Sequence, residues 1–285
     1  MGLKSMHFKA NRYIQWILVF TISLFGTSKT INAEILRVAV ASNFLETAEK
    51  LVFEFESKTQ HKIKLTSGSS GKFYLQITHG APFDLFLSAD SQKPNELVKN
   101  GLANEDSLTT YAMGKLSLWM KYCRREQPLS ALLSNEFARI AIANPTVAPY
   151  GFASKKLLES QQSSHKEPQQ NSLWEQLKDK IVFSENISQV SQLVMIGSIE
   201  AAFIATSHKQ RLYASCSSCI IDFPTEQYPT INYPAIEQQL VIISSSQNKP
   251  LAQDFINFIK SRKGQDLIKN MGYLLPESDK ITSSK

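Results

Sequence analysis

The chain is poor in the side chains that most often carry out chemistry. Its 285 residues include only three cysteines and five histidines. The histidines stand at 7, 61, 79, 165 and 208, and no two have a spacing that places them on one face of a helix. Metal sites need such clusters, so we expect no metal held by side chains. No Ser–His–Asp pattern is evident either, which argues against an enzyme.

The small number of cysteines leaves their pairing open. Cys216 and Cys219 could form a bridge across the two serines between them, or they could be a redox-active C-x-x-C pair. A thioredoxin-like pair would stand at the start of a helix that follows a strand. This pair does not, so a structural or incidental role is favoured. Cys123 is expected to be a buried free thiol.

The chain has little net charge once its first 33 residues are set aside. Those residues hold four of the 31 Lys and Arg and none of the acids, which leaves 27 basic against 25 acidic residues. No stripe of alternating basic and aromatic residues is present, and such a stripe is typical of nucleic-acid binding. We therefore expect no nucleic-acid partner.

A single long apolar run lies near the N-terminus. Lys4, Lys9 and Arg12 precede an apolar segment at 13–26, and small residues lead to Ala33. This order is typical of a cleavable signal peptide at 1–33. The alternative is a membrane anchor, but the run is shorter than the roughly 20 residues that a spanning helix needs. We expect export, cleavage before Glu34 and a soluble mature protein.

Four strand-like segments end in small polar turns that lead directly into helix-like segments. The strand-like segments are 36–41, 63–66, 140–143 and 181–183. In open α/β sheets, ligands bind at the carboxyl ends of the strands. The helices that begin there present unpaired N–H groups and the positive end of the helix dipole. The pattern therefore predicts a binding site that holds a small anion without any Lys or Arg side chain.

The segment 67–72, Ser-Gly-Ser-Ser-Gly-Lys, is rich in glycine and serine but matches neither common catalytic loop. A P-loop requires G-x-x-x-x-G-K-[ST], and Phe73 follows Lys72 here. A nucleophile elbow requires G-x-S-x-G, which is also absent. The segment offers two hydroxyls and several backbone N–H groups at a helix start, either as anion donors or as a plain N-cap.

Alternating strand and helix patterns predict an α/β protein of two lobes. The chain is expected to leave the first lobe near 115–120 and to return near 237, so that two crossings form a hinge. The predicted boundaries are 34–118 for the first part of lobe I, 119–236 for lobe II and 237–285 for the second part of lobe I. A single helix is predicted at 251–269.

Four motifs in this order resemble the periplasmic molybdate-binding proteins of ABC transporters. They are Ala-Ser-Asn-Phe at 41–44, Gly-Ser-Ser-Gly-Lys-Phe at 68–73, the segment 80–90, and Asn-Pro-Thr-Val-Ala-Pro-Tyr-Gly at 144–151. The likeness covers about 35 to 275. It implies a two-lobed periplasmic binding fold of type II, each lobe a mainly parallel sheet flanked by helices, with a two-stranded hinge.

The resemblance also implies a function. The protein would hold molybdate, and tungstate with it, between its lobes and deliver it to an inner-membrane ABC permease with its ATPase. It would work in the periplasm as a monomer, without a cofactor and without catalysing a reaction. Transferred position by position, the family's ligand contacts fall on Ser42, Asn43, Ser70, Tyr150 and the backbone N–H of Ile187, with Ser69 as a further candidate.

Two of these contacts have simpler alternatives, and one family position departs from the pattern. Asn43 could be a plain N-cap, and Tyr150 could be a packing residue. Members of the better-known branch have a ligand tyrosine where Ala205 stands here, so we expect Tyr150 to supply the missing hydroxyl. Carboxylates would repel an anion, so Asp84 and Asp90 are interpreted as turns and caps, and Glu185 should point away from the site.

Other functions remain open on the sequence. The same fold could hold another oxyanion such as sulfate, since pocket size is not readable from sequence. An exported enzyme that uses the cleft is a second alternative, and an anchored receptor ectodomain is a third.

Overall fold

The computed structural model describes residues 35–161, 171–215, 219–223 and 233–276. The segment expected to be a signal peptide, 1–33, lies outside the described residues. Within the described ranges, no helix has both the length and the apolar character required to cross a membrane.

The described residues form ten strands, which run in chain order as follows. They are β1 Ile35–Ala41, β2 Lys62–Gly68, β3 Leu85–Leu87, β4 Thr109–Gly114, β5 Leu116–Met120, β6 Ile140–Ala143, β7 Ile181–Ser184, β8 Ala201–Ala205, β9 Cys219–Phe223 and β10 Ile236–Ile242.

Ten α-helices lie within the same ranges. They are α1 Leu45–Glu56, α2 Ser70–Thr78, α3 Gln92–Lys99, α4 Pro128–Ala131, α5 Pro149–Ser160, α6 Leu173–Leu177, α7 Ile187–Met195, α8 Lys209–Ser215, α9 Lys249–Lys260 and α10 Arg262–Asn270. Short 3₁₀ turns occur at Ser42–Phe44, Glu105–Ser107, Lys178–Lys180 and Thr206–His208.

The strands form two five-stranded sheets with the same plan. The first has the order β2-β1-β3-β10-β4 and the second the order β7-β6-β8-β5-β9. In each sheet, three neighbouring strands run parallel to one another. A fourth strand follows the crossing from the other sheet; it lies between these three and the edge strand and is antiparallel to both of its neighbours. We call the described parts of 35–114 and 236–276 lobe I, and those of 116–223 lobe II.

The two-lobed α/β fold with mainly parallel sheets is confirmed: in each sheet four strands run in one direction, and one strand runs against them, so the sheets are mixed. The physical reason is the double crossing of the chain. A strand that leaves one lobe at its hinge end enters the other sheet from the opposite direction, so β10 and β5 run antiparallel to their neighbours.

Helices cover both faces of the first sheet, and the interior strand β1 is apolar on both sides. In β1, Val38 and Val40 belong to one core cluster and Ala39 to the cluster on the opposite face, as the two-residue period of a strand requires. The second lobe has its own core, and Ile236 at the start of β10 also packs into it. Both sheets therefore end at the boundary between the lobes.

The crossings lie slightly earlier than the expected boundaries. Leu116 to Met120 pair entirely within the second sheet, so the boundary at 118 falls inside β5 and the first crossing is at Lys115. Ile236 pairs with Gly114 in the first sheet, so the return precedes 237 by one residue.

The C-terminal helix is interrupted, contrary to the prediction of one helix over 251–269. Ser261 adopts an extended conformation and caps α10, its Oγ accepting from Gly264 N at 3.3 Å. Serine is a favoured N-cap residue, but the apolar periodicity on either side conceals this signal.

The prediction for Cys123 was wrong. Cys123 is exposed and forms a disulfide with Cys219, with the Cα atoms 5.1 Å apart. Met120 at the end of β5 pairs with Cys219 at the start of β9, and this antiparallel pairing brings Cys123 alongside. Cys219 is therefore not bridged to Cys216, which lies outside the described residues.

Candidate functional site

All six predicted contact residues line one small cavity between the lobes. Ser42 and Asn43 follow β1, Ser69 and Ser70 follow β2, Tyr150 is the second residue of α5, and Ile187 is the first residue of α7. The lining is completed by Ala41, Gly68, Ala89, Ala148, Pro149 and Asn186. The strand-to-helix junctions thus converge as the sequence predicts, two from each lobe.

The serines at the start of α2 have hydroxyls available inside the cavity. Ser70 Oγ accepts a hydrogen bond from Ala89 N at 2.9 Å, so its proton is directed to another acceptor. Ser69 occupies the N-cap position, but its side chain makes no cap hydrogen bond, and its Oγ is buried without a partner among the described residues. An enclosed hydroxyl without a partner costs free energy, and an anion's oxygen would satisfy it.

Asn43 is not the plain N-cap that was considered. Its Nδ2 donates to Gln238 Oε1 at 3.0 Å and to Tyr273 Oη at 3.1 Å. Both amide hydrogens are therefore used behind the cavity. What Asn43 can offer an anion is its backbone N–H at the start of the 3₁₀ turn.

Tyr150 is buried with 1% exposure, and its hydroxyl has no hydrogen-bond partner among the described residues. Burial raises the pKa of this hydroxyl well above its ordinary range, the nearby Tyr273 adds to the shift, and the Asn43 side chain, which is close but makes no hydrogen bond of normal geometry, opposes it. The group therefore remains an O–H donor at physiological pH. A packing role alone does not explain a tyrosine here, because phenylalanine would avoid the unpartnered hydroxyl.

Lobe II presents the start of α7 to the cavity. Asn186 is its N-cap, and its Oδ1 accepts from Ser188 N and Gln189 N at 3.1 Å each. The backbone N–H of Ile187, at the first helical position, has no partner within the helix. The positive end of the α7 dipole lies at the same place.

The cavity lining contains no charged side chain. Asp84 accepts from Arg37 N at 2.7 Å, and Asp90 accepts from Lys93 N at 2.7 Å, so both cap backbone groups as expected. Glu185 is absent from the lining and pairs with Lys72 at 2.8 Å. Neutral donors can hold an anion without the desolvation cost of a buried ion pair.

The lobes are closed over the site. Gly71 N donates to Val147 O at 2.9 Å, and Ser188 Oγ donates to Ser42 O at 2.8 Å. Ser207 Oγ makes a longer contact of 3.4 Å with Asn43 O. Each of these contacts joins lobe I to lobe II, so all of them depend on closure.

The free volume of this cavity is about 10 Å³, and the cavity is partly open to solvent. This is near the roughly 10–15 Å³ that a single water-sized solute needs, so the closed lobes leave room only for a small ligand. A larger groove opens beside it, and its lining includes Asp90, Glu237 and Lys93. Two carboxylates against one ammonium group make it less suited to an anion.

Ala205 is buried at the end of β8 and does not line the cavity. Three other residues near the site were not predicted from the sequence: Ser188, Ser207 and Gln238. The interlobe contacts of Ser188 and Ser207 carry no sequence signal. Gln238 does carry one, because a polar residue stands between Ile236 and Leu240 on the buried face of β10.

Taken together, the fold and the enclosed interlobe cavity define a binding protein that closes around a small solute. The model of the family described as bacterial extracellular solute-binding protein matches residues 36–274. The chain belongs to this family. Since the family consists of solute-binding proteins, the chain is a component of transport and not an enzyme.

Relatives within the family are known by their ligand. The molybdate-binding protein ModA of Rhodobacter capsulatus is 33% identical over 236 residues, which cover 83% of this chain and 86% of the relative. The ModA protein of Azotobacter vinelandii is 34% identical, covering 84% and 89% respectively.

Solved structures show the same architecture. The periplasmic molybdate-binding protein of A. vinelandii superposes with a TM-score of 0.74 at 33% identity, covering 85% of this chain and all of that one. The sulfate-binding protein SubI of Mycobacterium tuberculosis has a TM-score of 0.69 over 85% of this chain and 87% of that one. At 12% identity, the latter likeness shows the fold alone.

Proposed function

We propose that this protein captures molybdate between its two lobes and delivers it to the permease of an ABC transporter. The observation that carries the proposal is the enclosed, uncharged cavity where the six candidate residues from both lobes meet. Its relatives with known ligands support molybdate in particular.

The chemistry of the cavity favours a fully ionised oxyanion. Hydroxyls and backbone N–H groups act as donors toward the ligand, and a protonated anion would bring a hydrogen with no acceptor to meet it. Such a mismatch leaves buried groups unpaired and costs binding free energy. Tungstate has the charge and shape of molybdate and is proposed as a second ligand. No cofactor is needed.

Ligand contacts are proposed at Ser42, Asn43, Ser70, Tyr150 and Ile187, with Ser69 as a sixth. Tyr150 would supply the hydroxyl that Ala205 lacks. The test is Tyr150→Phe, which removes only this hydroxyl; unchanged molybdate affinity would contradict the assignment.

The cellular setting is part of the same proposal. The mature protein would begin at Glu34, after removal of residues 1–33, and act as a monomer in the periplasm. Its partner would be an inner-membrane permease with an associated ATPase. Mass spectrometry of the exported protein checks the cleavage point, and light scattering checks the monomer.

The decisive experiment is calorimetry of the ligand-stripped mature protein with molybdate, tungstate, sulfate and phosphate at one pH and salt concentration. Tight binding of molybdate and tungstate, without heat from sulfate, is expected. Sulfate binding as tight as molybdate binding would keep the fold and change the ligand. No binding of any of the four would contradict the proposal.

A further inference from the structure

Gln238 is a buried polar side chain directly behind the cavity. It lies on β10 with no solvent exposure, on the same face of the strand as the core residues Ile236 and Leu240. The β10–β4 pairing shifts register between Gln238 and Gln239, which leaves Tyr111 of β4 without a partner in the ladder. Bulges of this kind redirect side chains and are common beside functional sites.

Hydrogen bonds determine which way the Gln238 amide faces. Tyr273 Oη donates its one proton to Asn43 O at 2.7 Å. The Asn43 side-chain atom 3.1 Å from that oxygen must therefore be the donor Nδ2. Asn43 Nδ2 also reaches Gln238 at 3.0 Å, so the group it meets there is the acceptor Oε1. Tyr111 Oη lies 3.1 Å from the same Oε1 and 2.9 Å from Ser88 O, so its one proton is shared between these two acceptors.

The Nε2 group of Gln238 is therefore turned toward Gly114 and Tyr150. Gln238 Nε2 and the Tyr150 hydroxyl oxygen both lie within 2.8 Å of the point that a β-carbon on Gly114 would occupy. Glycine leaves this space free for them. Within the described part of the chain, neither atom has a hydrogen-bond partner, although both are buried.

We propose that Gln238 is the positioning residue for Tyr150: its Nε2 donates to the tyrosine oxygen when the anion is bound, so that the hydroxyl proton is directed to the anion. This deepens the proposed function and rests on it. A hydroxyl that accepts from Gln238 is held as a donor, so a protonated anion finds no acceptor at this point. Gln238 thereby strengthens the preference for an unprotonated oxyanion.

A double-mutant cycle tests the proposal. Molybdate affinity is measured by calorimetry for the wild type, Gln238→Met, Tyr150→Phe and the double variant. Gln238→Met is expected to weaken binding about 10-fold when Tyr150 is present, and less than about 2-fold in the Tyr150→Phe background. The preference for molybdate over phosphate should fall in Gln238→Met. The matched control is Gln239→Met, the same change on the opposite face of β10, which should leave affinity unchanged.

The possible results of the cycle distinguish failure of the positioning role from failure of the proposed ligand. Equal losses in both backgrounds would overturn the positioning role, because Gln238 would then act independently of Tyr150. If the wild type binds a different oxyanion, the proposed ligand is wrong, and the cycle with that anion still tests Gln238. Binding of none of the four anions would end both proposals.

A second variant guards against misfolding of Gln238→Met. Gln238→Glu keeps the volume and the acceptor for Asn43 and Tyr111, and once ionised it replaces the Nε2 donor with a carboxylate oxygen. Because burial raises the pKa of a carboxyl group, the affinity is measured over a series of rising pH values, so that the ionised form is reached. The loss of affinity should be larger with Tyr150 than in the Tyr150→Phe background. Absence of this difference would overturn the proposal.

Discussion

The two lobes share one sheet plan but contribute different chemistry to the site. In lobe I, the N-cap of α2 is Ser69, whose side chain makes no cap hydrogen bond and whose hydroxyl is left for the cavity. In lobe II, the N-cap of α7 is Asn186, whose side chain holds two backbone N–H groups of its own helix. Lobe I therefore offers serine hydroxyls together with the backbone N–H of Asn43, whereas lobe II offers the backbone of α7 and one tyrosine.

This difference shows that the topology determines where the strand ends lie, whereas the individual residues determine which groups donate to the ligand. Equivalent strand order brings equivalent strand ends to the cavity in both lobes. Whether the donor there is a hydroxyl or a backbone N–H depends on whether the capping side chain is engaged within its own helix. The two lobes should accordingly respond differently to substitution.

The largest effect is expected where the lobes touch through a glycine. A methyl group on Gly71 would lie 2.9 Å from both the Cα and the carbonyl oxygen of Val147. Because this contact joins the two lobes, the clash opposes closure. Gly71→Ala should weaken molybdate binding roughly 100-fold, or about 3 kcal/mol, as measured by calorimetry.

Ligand-free stability distinguishes a block on closure from damage to lobe I. Alanine is favoured over glycine in a helix, so urea unfolding of Gly71→Ala without ligand should show equal or higher stability. Gln76→Ala, at an exposed position on the same helix, is the matched control and should bind normally. A large loss of ligand-free stability would contradict the closure explanation.

The next effect contrasts a side-chain donor with a backbone donor. Ser70→Ala removes the hydroxyl that accepts from Ala89 N and is proposed to donate to the anion, and should cost about 2 kcal/mol of binding. Ile187→Val keeps its backbone N–H and should change the affinity less than about 2-fold. Similar losses in the two calorimetric titrations would remove the distinction between the lobes.

The third effect is a dependence of stability on pH. Burial, and then the charge of Arg211, lower the pKa of His208 to about 3, while its hydrogen bond with the Asn43 backbone opposes the shift. The unfolded chain, with a histidine pKa near 6.5, takes up the proton first as pH falls. Stability is thus full above about pH 6.5 and decreases below it.

The loss between pH 7 and pH 4.5 should be about 2 kcal/mol, measured by urea unfolding without ligand. In His208→Gln this part of the decrease should disappear, while the contribution of the carboxylates remains. Parallel curves for the two proteins would mean that His208 is not protonated differently in the folded and unfolded states.

The smallest effect compares the two caps directly. Asn186→Ala removes a side chain that accepts from two backbone N–H groups and should lower ligand-free stability by about 1 kcal/mol. Ser69→Ala removes a hydroxyl without a cap hydrogen bond and should leave ligand-free stability within about 0.5 kcal/mol. The reverse order in thermal or urea unfolding would contradict the different roles assigned to the caps.

Sequence alone predicted the strand ends and helix starts that line the cavity. Ser42, Ser70, Tyr150 and Ile187 each stand at such a junction, and short patterns of apolar and turn residues predict the junctions, whereas the choice of Tyr150 and Ile187 as contacts came from the family resemblance. Because parallel strands end at a common edge, their convergence followed from the predicted architecture. The two-lobed α/β fold could be predicted for the same reason.

Only the tertiary structure decided the contacts between segments far apart in the chain. Cys123 and Cys219, 96 residues apart, meet because β5 and β9 pair in register. Gln238 reaches Asn43 across 195 residues through the order of the first sheet. Such long-range contacts depend on which strands become neighbours and on how the lobes close, and residue spacing predicts neither. The sequence placed the donors at their turns, and the packing of the two sheets decided what lies behind them and what encloses them.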